Sequence, residues 1–147
     1  MKTYFKLFSL LVFVLVLVSG CKKDDDPGET EAERQQRLVS KTWATGSVSY
    51  TEESTPLAGF DDFSITFNST GTFSTSGGQA GVSYLPSSGS WSIDSNDLTA
   101  LTLTDNGNTV EVDIVTLSET AFVFNVAGPG VKATDPDRTV RYDLVSQ

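Results

Sequence analysis

The chain has no histidine and one cysteine, Cys21, among its 147 residues. Without histidine there is no Ser-His-Asp triad and no histidine metal ligand. One cysteine forms no intramolecular disulfide, so burial of apolar surface must hold the domain together. The sequence also has no Gly-x-Ser-x-Gly nucleophile motif and no glycine loop placed before a helix. We therefore expect a protein that is not an enzyme and that uses no metal and no cofactor.

Basic residues are also few. The chain has 10 Lys and Arg and 19 Asp and Glu, which gives a net charge of −9. Nucleic-acid binding depends on Lys and Arg contacts to phosphate, so this composition excludes it. Direct adsorption to an anionic membrane surface is excluded for the same reason.

Carboxylates are the remaining acid–base groups, and they occur as three close pairs: Asp61/Asp62, Asp94/Asp97 and Asp135/Asp137. Glycoside hydrolysis needs two carboxylates facing each other across roughly 5–10 Å, and no spacing here indicates such a cleft. We interpret Asp94, Asp97 and Asp105 as turn-forming residues. A weak calcium site in these loops is the alternative, although the EF-hand pattern is absent.

The N-terminus carries the one long apolar run, residues 7–18, which is polar only at Ser9. A membrane-spanning helix needs about 20 such residues. Two lysines precede the run and small residues follow it, as in a secretory signal. Residues 17–21, Leu-Val-Ser-Gly-Cys, resemble a bacterial lipobox, which implies cleavage before Cys21 and lipidation of its thiol. An ordinary cleavable signal with an incidental cysteine is the alternative.

The lipobox implies a signal peptide at 1–20 and a mature chain of 127 residues, whose net charge is −11 because Lys2 and Lys6 are lost. Lipoproteins of this kind carry three acyl chains, and two or more hold a protein firmly on a bilayer. Residues 21–28 are predicted to form an acidic tether. The tract Lys-Lys-Asp-Asp-Asp after Cys21 resembles that of Bacteroidota surface lipoproteins. This implies an outer-membrane anchor at the cell surface, with a periplasm-facing anchor as the alternative.

One helix is predicted over residues 30–41. Thr30 and Glu33 have the spacing of a capping box, in which each side chain satisfies a backbone donor of the other residue. Acidic residues lie in the first turn and basic residues towards the end, as the helix dipole favours. Leu38 and Val39 give the helix an apolar contact at its C-terminal part.

The rest of the chain consists of short alternating runs separated by Gly, Asn and Asp. Phe63, Ile65 and Phe67 alternate with Ser64 and Thr66, the pattern of a strand with one dry and one wet face. Eight strands are predicted, at 42–50, 62–67, 72–76, 89–93, 98–104, 109–117, 121–126 and 139–145.

The joints between these strands predict how they are connected. Three joints are long, 51–61, 77–88 and 127–138, and they follow the first, third and seventh strands. In an up-and-down meander, joints after odd-numbered strands lie at one end, so the long loops should gather at one mouth. We predict an eight-stranded antiparallel up-and-down barrel, which leaves no open edge. A β-sandwich is the alternative.

Four segments resemble the lipocalin-like domains of Bacteroidota lipoproteins. They are Leu38–Trp43, Ile65–Phe73, Gly89–Asp94 and Leu117–Phe124. The resemblance extends over nearly the whole mature domain and implies a lipocalin-like barrel at 29–147 with an N-terminal helix. The Gly-x-Trp of true lipocalins is not intact, since Ser-Lys-Thr precedes Trp43. The resemblance therefore implies the fold and leaves the function open.

The candidate contact residues for a ligand or partner are apolar and aromatic. Tyr84 lies in the long loop 77–88 beside Val82 and Leu85, and such a loop either covers the mouth or presents a contact surface. The others flank the neighbouring loop or are expected to plug or line the barrel: Tyr50, Leu57, Phe60, Trp43 and Trp91.

Two functions remain open. The first is a non-enzymatic module that binds a small apolar or glycan-like ligand in the barrel mouth. The second is a structural or protein-interaction subunit of an envelope complex, with a barrel packed solid by side chains. An internal cavity of several hundred cubic ångströms would favour the first, and a filled interior would favour the second.

Overall fold

The computed structural model describes residues 28–53, 55–78, 84–127 and 138–147. The signal peptide, Cys21 with most of its tether, Val82 and the pair Asp135/Asp137 lie outside the described residues. One helix precedes eight strands: α1 (Glu31–Val39), β1 (Thr42–Tyr50), β2 (Ser64–Asn68), β3 (Thr72–Ser76), β4 (Ser88–Asp94), β5 (Asp97–Asp105), β6 (Asn108–Leu117), β7 (Ala121–Ala127) and β8 (Thr139–Ser146).

The eight strands form a closed barrel in sequence order. Each strand pairs antiparallel with the next, and β8 returns to pair with β1. The predicted up-and-down barrel is confirmed, and the sandwich alternative is wrong. The predicted bounds of β1 and β3 are confirmed, and those of the other six strands differ from the observed ones by one or two residues at one or both ends. β2 starts at Ser64 rather than residue 62, because the N–H of Phe63 bonds to the Phe60 carbonyl at 3.0 Å in a turn.

Aromatic rings fill much of the barrel interior. Phe122 lies 4.8 Å from Phe124, and Phe124 is stacked on Tyr142 at 4.9 Å between ring centroids. Trp43 adds a ring 5.4 Å from Phe122 towards one end, and Phe60 adds one 6.1 Å from Tyr142 towards the other. All five side chains are buried. Side chains therefore occupy the barrel interior along the length that these rings span.

The helix begins with the predicted capping box. The Thr30 hydroxyl accepts from the N–H of Glu33 at 3.2 Å, and the Glu33 carboxylate accepts from the N–H of Thr30 at 2.7 Å. The N–H of Thr30 and, at 2.8 Å, its hydroxyl both donate to the Glu33 carboxylate and lower the pKa of Glu33, the N–H most. The helix is shorter than predicted and ends at Val39, because the backbone of Ser40 leaves the helical conformation, with φ −70° and ψ 69°. The N–H and the hydroxyl of Ser40 still bond to the Gln36 carbonyl.

The C-terminal half of α1 closes one end of the barrel. Its buried residues are Leu38 and Val39, as predicted, and the Trp43 indole N–H donates to the Val39 carbonyl at 3.0 Å. Arg37 and Lys41 both reach Glu119, in the turn between β6 and β7, at 2.9 Å. The helix therefore lies over the short turns, at the end opposite to the long loops.

The long connections follow β1, β3 and β7, as the sequence predicts. The joint between β5 and β6 lies at the same end but has only two residues, Asn106 and Gly107. Both have positive φ angles, 48° and 84°, which suit a two-residue hairpin turn. Within the described ranges, no helix is long and apolar enough to cross a membrane.

Candidate functional site

The loop after β1 folds back along the second half of that strand. β1 pairs with β2 only through Thr42–Ala44. Further along, Ser49 forms a bridge with Pro56, and the N–H of Leu57 donates to the Val48 carbonyl at 2.6 Å. The returning loop therefore covers the edge of β1 that β2 leaves unpaired.

A groove of about 300 Å³ lies between β1 and this loop. Val48 and Phe60 are buried and form an apolar floor, whereas Asp61 is exposed at the rim. The complete lining is Thr45, Gly46, Ser47, Val48, Pro56, Leu57, Phe60 and Asp61. We call it the β1 groove.

Tyr142 packs against Phe60 and Val48, two residues that line the β1 groove. Tyr142 is the cross-strand partner of Val48, and its ring meets the Phe60 ring edge-on at 6.1 Å. The side chain is 0% exposed, and its Oη is buried without a hydrogen-bond partner of good geometry. Burial raises the pKa of Tyr142, the N–H of Tyr84 lowers it in part, and the charge of the Tyr84 phenol raises it further. The hydroxyl therefore stays neutral at physiological pH.

Tyr84 and Leu85 pack into the core from the loop before β4. They are 8% and 4% exposed, so their side chains face the core and do not form an exposed contact surface. The Tyr84 hydroxyl lies 2.9 Å from the Tyr50 hydroxyl, and the two rings meet edge-on at 6.4 Å. This pair joins the end of β1 to the start of the segment that leads into β4.

A cation lies over the outer side of the tyrosine pair. The Arg138 guanidinium lies 4.5 Å from the centre of the Tyr50 ring, and its Nη2 lies 2.7 Å from a carboxylate oxygen of Glu53. Its charge is therefore engaged by an aromatic face and by a carboxylate.

Two of the predicted carboxylate pairs, Asp61/Asp62 and Asp94/Asp97, lie in the described residues. Asp62 accepts from the N–H of Gly78 at 2.9 Å and so ties two long loops together. Asp94 accepts from the N–H of Asn96 at 2.8 Å, which confirms its turn-forming role.

Asp97 and Asp105 also bond locally. The hydroxyl and the N–H of Thr99 both donate to Asp97 and lower its pKa, the hydroxyl most. Asp105 accepts from the Asn106 amide at 2.8 Å. In the parts of the chain that the structure describes, no three Asp, Glu or Cys side chains come together as metal ligands.

The structure brings together most of the predicted contact residues. Five of them lie at the long-loop end: Tyr50, Leu57, Phe60, Tyr84 and Leu85. Trp43 and Trp91 lie at the opposite end, near α1. Trp91 lines a second groove, of about 320 Å³, with Ala32, Gln36, Ser92, Ile93, Ser95 and Leu98.

Sequence reasoning missed Val48 and Tyr142 as site residues. Alternation on β8 already placed Tyr142 on the inward face, between Val140 and Leu144. The hydroxyl of a buried tyrosine needs a hydrogen-bond partner. A tyrosine on the apolar face of a strand was therefore the sequence feature that could have singled out Tyr142.

A closed up-and-down barrel with its long loops at one end is an architecture that encloses or presents small ligands. The chain belongs to the lipocalin-like domain family, whose sequence profile matches residues 39–124, more than half of the chain. The lipocalin-like fold is typically a binding fold rather than a catalytic one. No curated protein matches the chain.

Proposed function

We propose that this protein is a surface lipoprotein of the Bacteroidota type, anchored in the outer membrane through Cys21, that binds one small ligand without catalysis. The ligand site is the β1 groove. The observation that carries the proposal is a groove of about 300 Å³ beside the barrel mouth, lined by the buried apolar residues Val48 and Phe60.

The filled interior supports a ligand site at the groove rather than along the barrel axis. Rings along the axis approach one another at 4.8–6.2 Å, which is ordinary aromatic packing. The groove volume of about 300 Å³ lies at the lower end of the usual range for small-molecule sites. The site is thus a lateral groove beside the mouth, and its ligand is small.

Native mass spectrometry of the mature chain tests the binding proposal. Cys21→Ser gives a soluble form for this purpose, and we expect it to retain a small molecule at one per chain. Ser47→Trp fills the groove and should remove the bound molecule. Ser90→Trp, on the exposed outer face of β4, is the matched control and should leave it bound. Absence of any bound molecule, together with no thermal shift from a library of small amphiphiles, would reject the proposal.

The anchor is tested separately from binding. Cys21→Ser should move the protein from the membrane fraction to the soluble fraction and remove the mass of the acyl chains. Persistent attachment would mean that the apolar segment holds the protein instead. Alanine at Asp24, Asp25 and Asp26 should leave the lipid in place but protect the protein from proteinase K added to intact cells. Continued digestion would reject the acidic tract as the surface signal.

A structural or protein-interaction subunit is the second candidate. The rings that occupy the barrel interior favour it, since a filled barrel needs no ligand for its stability. Under this function the Ser47→Trp and Ser90→Trp variants would both lack a small molecule, and cross-linking in the cell envelope would capture one defined partner through the long-loop end.

A further inference from the structure

We propose that the barrel stands on the membrane by its short-turn end, the end that carries the β2–β3, β4–β5 and β6–β7 turns. In this orientation α1 lies next to the bilayer, and the long loops and the β1 groove are turned away from it. The inference rests on the anchor at Cys21 proposed above and goes beyond it, because it assigns the face of the barrel that meets the lipid. The position of α1 and the short chain between α1 and Cys21 carry it.

The helix lies across the short-turn end along its whole length. Ala32, in the first turn of α1, lines a groove together with Ser95, in the turn between β4 and β5. Arg37, in the last turn, lines another groove with Ser69, in the turn between β2 and β3. The Arg37 guanidinium also lies 2.9 Å from Glu119, in the turn between β6 and β7. Because α1 adjoins all three short turns, the chain that precedes it starts from this end of the barrel.

An ionic bridge holds the start of the helix at the same end. The Arg37 guanidinium binds Glu29 at 2.9 Å and Glu119 at 2.9 Å, so one side chain connects the residue before the helix cap to the β6–β7 turn. These groups are exposed, and each contact is weak by itself. The burial of Leu38 and Val39 keeps the helix on the barrel. The point at which the tether leaves the domain is therefore fixed relative to the strands.

The chain between the lipid and this point is short compared with the barrel. A chain of the length of residues 21–29 spans at most about 30 Å when extended and about 16 Å on average when flexible. β5 has nine residues and runs from the short-turn end to the long-loop end, so at a tilt of about 40° the barrel is about 20 Å high. Bringing the long loops to the bilayer would stretch the tether along this height, at a cost in conformational entropy.

The charge of the domain acts in the same direction. The mature chain has a net charge of −11, since 8 basic residues stand beside 19 acidic ones. An anionic bilayer repels such a domain within a Debye length, about 8 Å at physiological ionic strength. A body that is pushed away from a surface and held at one end turns that end towards the surface. Ligands and partners therefore reach the β1 groove and the long loops from the aqueous side.

Energy transfer from the protein to the bilayer measures the orientation. Ser69→Cys, at the short-turn end, and Asn108→Cys, beside the β5–β6 turn, each place one free thiol at an exposed position, since lipid occupies Cys21. The full lipidated chain, labelled with a dye at that thiol, is added to preformed vesicles of phosphatidylethanolamine and phosphatidylglycerol that contain a rhodamine-labelled lipid. We expect the dye at position 69 to lie closer to the acceptors by about 20 Å, the height of the barrel.

The possible results separate the inference from the anchor on which it rests. Equal distances, or a shorter distance from position 108, would overturn the inference and leave the lipid anchor standing. Failure of the chain to attach to the vesicles would reject the anchor, and the inference with it.

A longer tether tests the cause of the orientation. Insertion of about 20 Gly and Ser residues between Gly28 and Glu29 raises the average span of the tether to about 30 Å, more than the height of the barrel. The difference between the two dye positions should then largely disappear. The same segment added after Gln147 leaves the tether unchanged and is the matched control, which should keep the difference. A difference that survives the longer tether would overturn the tether as the cause of the orientation.

Discussion

The hydroxyl groups of Tyr50 and Tyr84 lie 2.9 Å apart and connect the last residue of β1 to the loop that precedes β4. The two residues are far apart in sequence, and the strands they adjoin are not neighbours in the barrel. The bond therefore ties together two long loops at the end where the β1 groove lies.

Breaking the hydrogen bond between Tyr50 and Tyr84 should lower the stability of the protein slightly, and the effects of the two substitutions should not be additive. Tyr50→Phe and Tyr84→Phe should each lower the free energy of unfolding by about 1 kcal/mol, the net worth of a neutral hydrogen bond. Because both variants break the same bond, the double variant should cost about as much as either one. Urea unfolding of all four proteins gives the coupling energy. Strictly additive effects would show that the hydroxyls act separately.

Position 77 requires glycine because of its backbone angle and because the backbone of Asp62 lies close to it. Its φ angle is +69°, and a Cβ there would collide with the carbonyl oxygen of Asp62. Gly107 has a similar φ angle, +84°, but a Cβ there would meet nothing within 4 Å. Gly107→Ala should cost about 1 kcal/mol of stability for the left-handed backbone alone. Gly77→Ala should cost at least about 2 kcal/mol more because of the collision. Equal losses in thermal unfolding would contradict the collision.

Phe122 lies at the centre of the aromatic rings that fill the barrel interior. It contacts Trp43, Phe67 and Phe124 at 5.4, 5.9 and 4.8 Å. Phe122→Ala should lower the free energy of unfolding by about 3–5 kcal/mol, since a large cavity opens in a packed core. Val145→Ala is the control, because Val145 is 48% exposed on the outer face, and it should cost less than about 1 kcal/mol. Denaturant titration distinguishes the two.

The helix contact with Glu119 should depend on pH. Hydrogen bonds from Lys41 and then Arg37 lower the pKa of Glu119 below its ordinary value of 4.5. A carboxyl whose folded pKa is lowered adds stability above its unfolded pKa, and this contribution is lost as the pH falls through the folded value. Glu119→Gln should therefore be less stable than the natural chain at pH 7, and the difference should shrink as the pH falls below 4.5 and in high salt. A difference that does not shrink with falling pH would contradict the ionic origin.

Tyr142→Phe should not destabilise the protein. Its hydroxyl is buried without a hydrogen-bond partner of good geometry, so its removal deletes an unsatisfied polar atom from the core. We expect the free energy of unfolding to stay the same or to rise by about 1 kcal/mol. A loss of more than about 1 kcal/mol in denaturant titration would mean that the folded protein satisfies this hydroxyl.

Local patterns in the sequence were sufficient to predict the barrel architecture. Alternation of Phe63, Ile65 and Phe67 with hydroxyl residues identifies a strand with a buried face, and Thr30 with Glu33 fixes the start of the helix. These features depend on residues two to four positions apart, where backbone geometry alone sets which side chains share a face or a turn. The parity of the long joints then decides that they gather at one end. The signal before Cys21 remains a prediction, since it lies outside the described residues.

Only the tertiary structure determined where the candidate site, the β1 groove, lies. The groove exists because residues 56–61 return to β1, and no local pattern specifies that a loop will replace β2 beside Val48. Likewise, the sequence predicts that Tyr84 lies in a loop that covers the mouth or presents a contact surface, whereas in the structure its ring packs in the core beside Tyr50. The unpaired state of Tyr142 depends on every chain segment that approaches it. Such contacts join residues tens of positions apart, and their energies are settled by packing in three dimensions, which sequence periodicity does not encode.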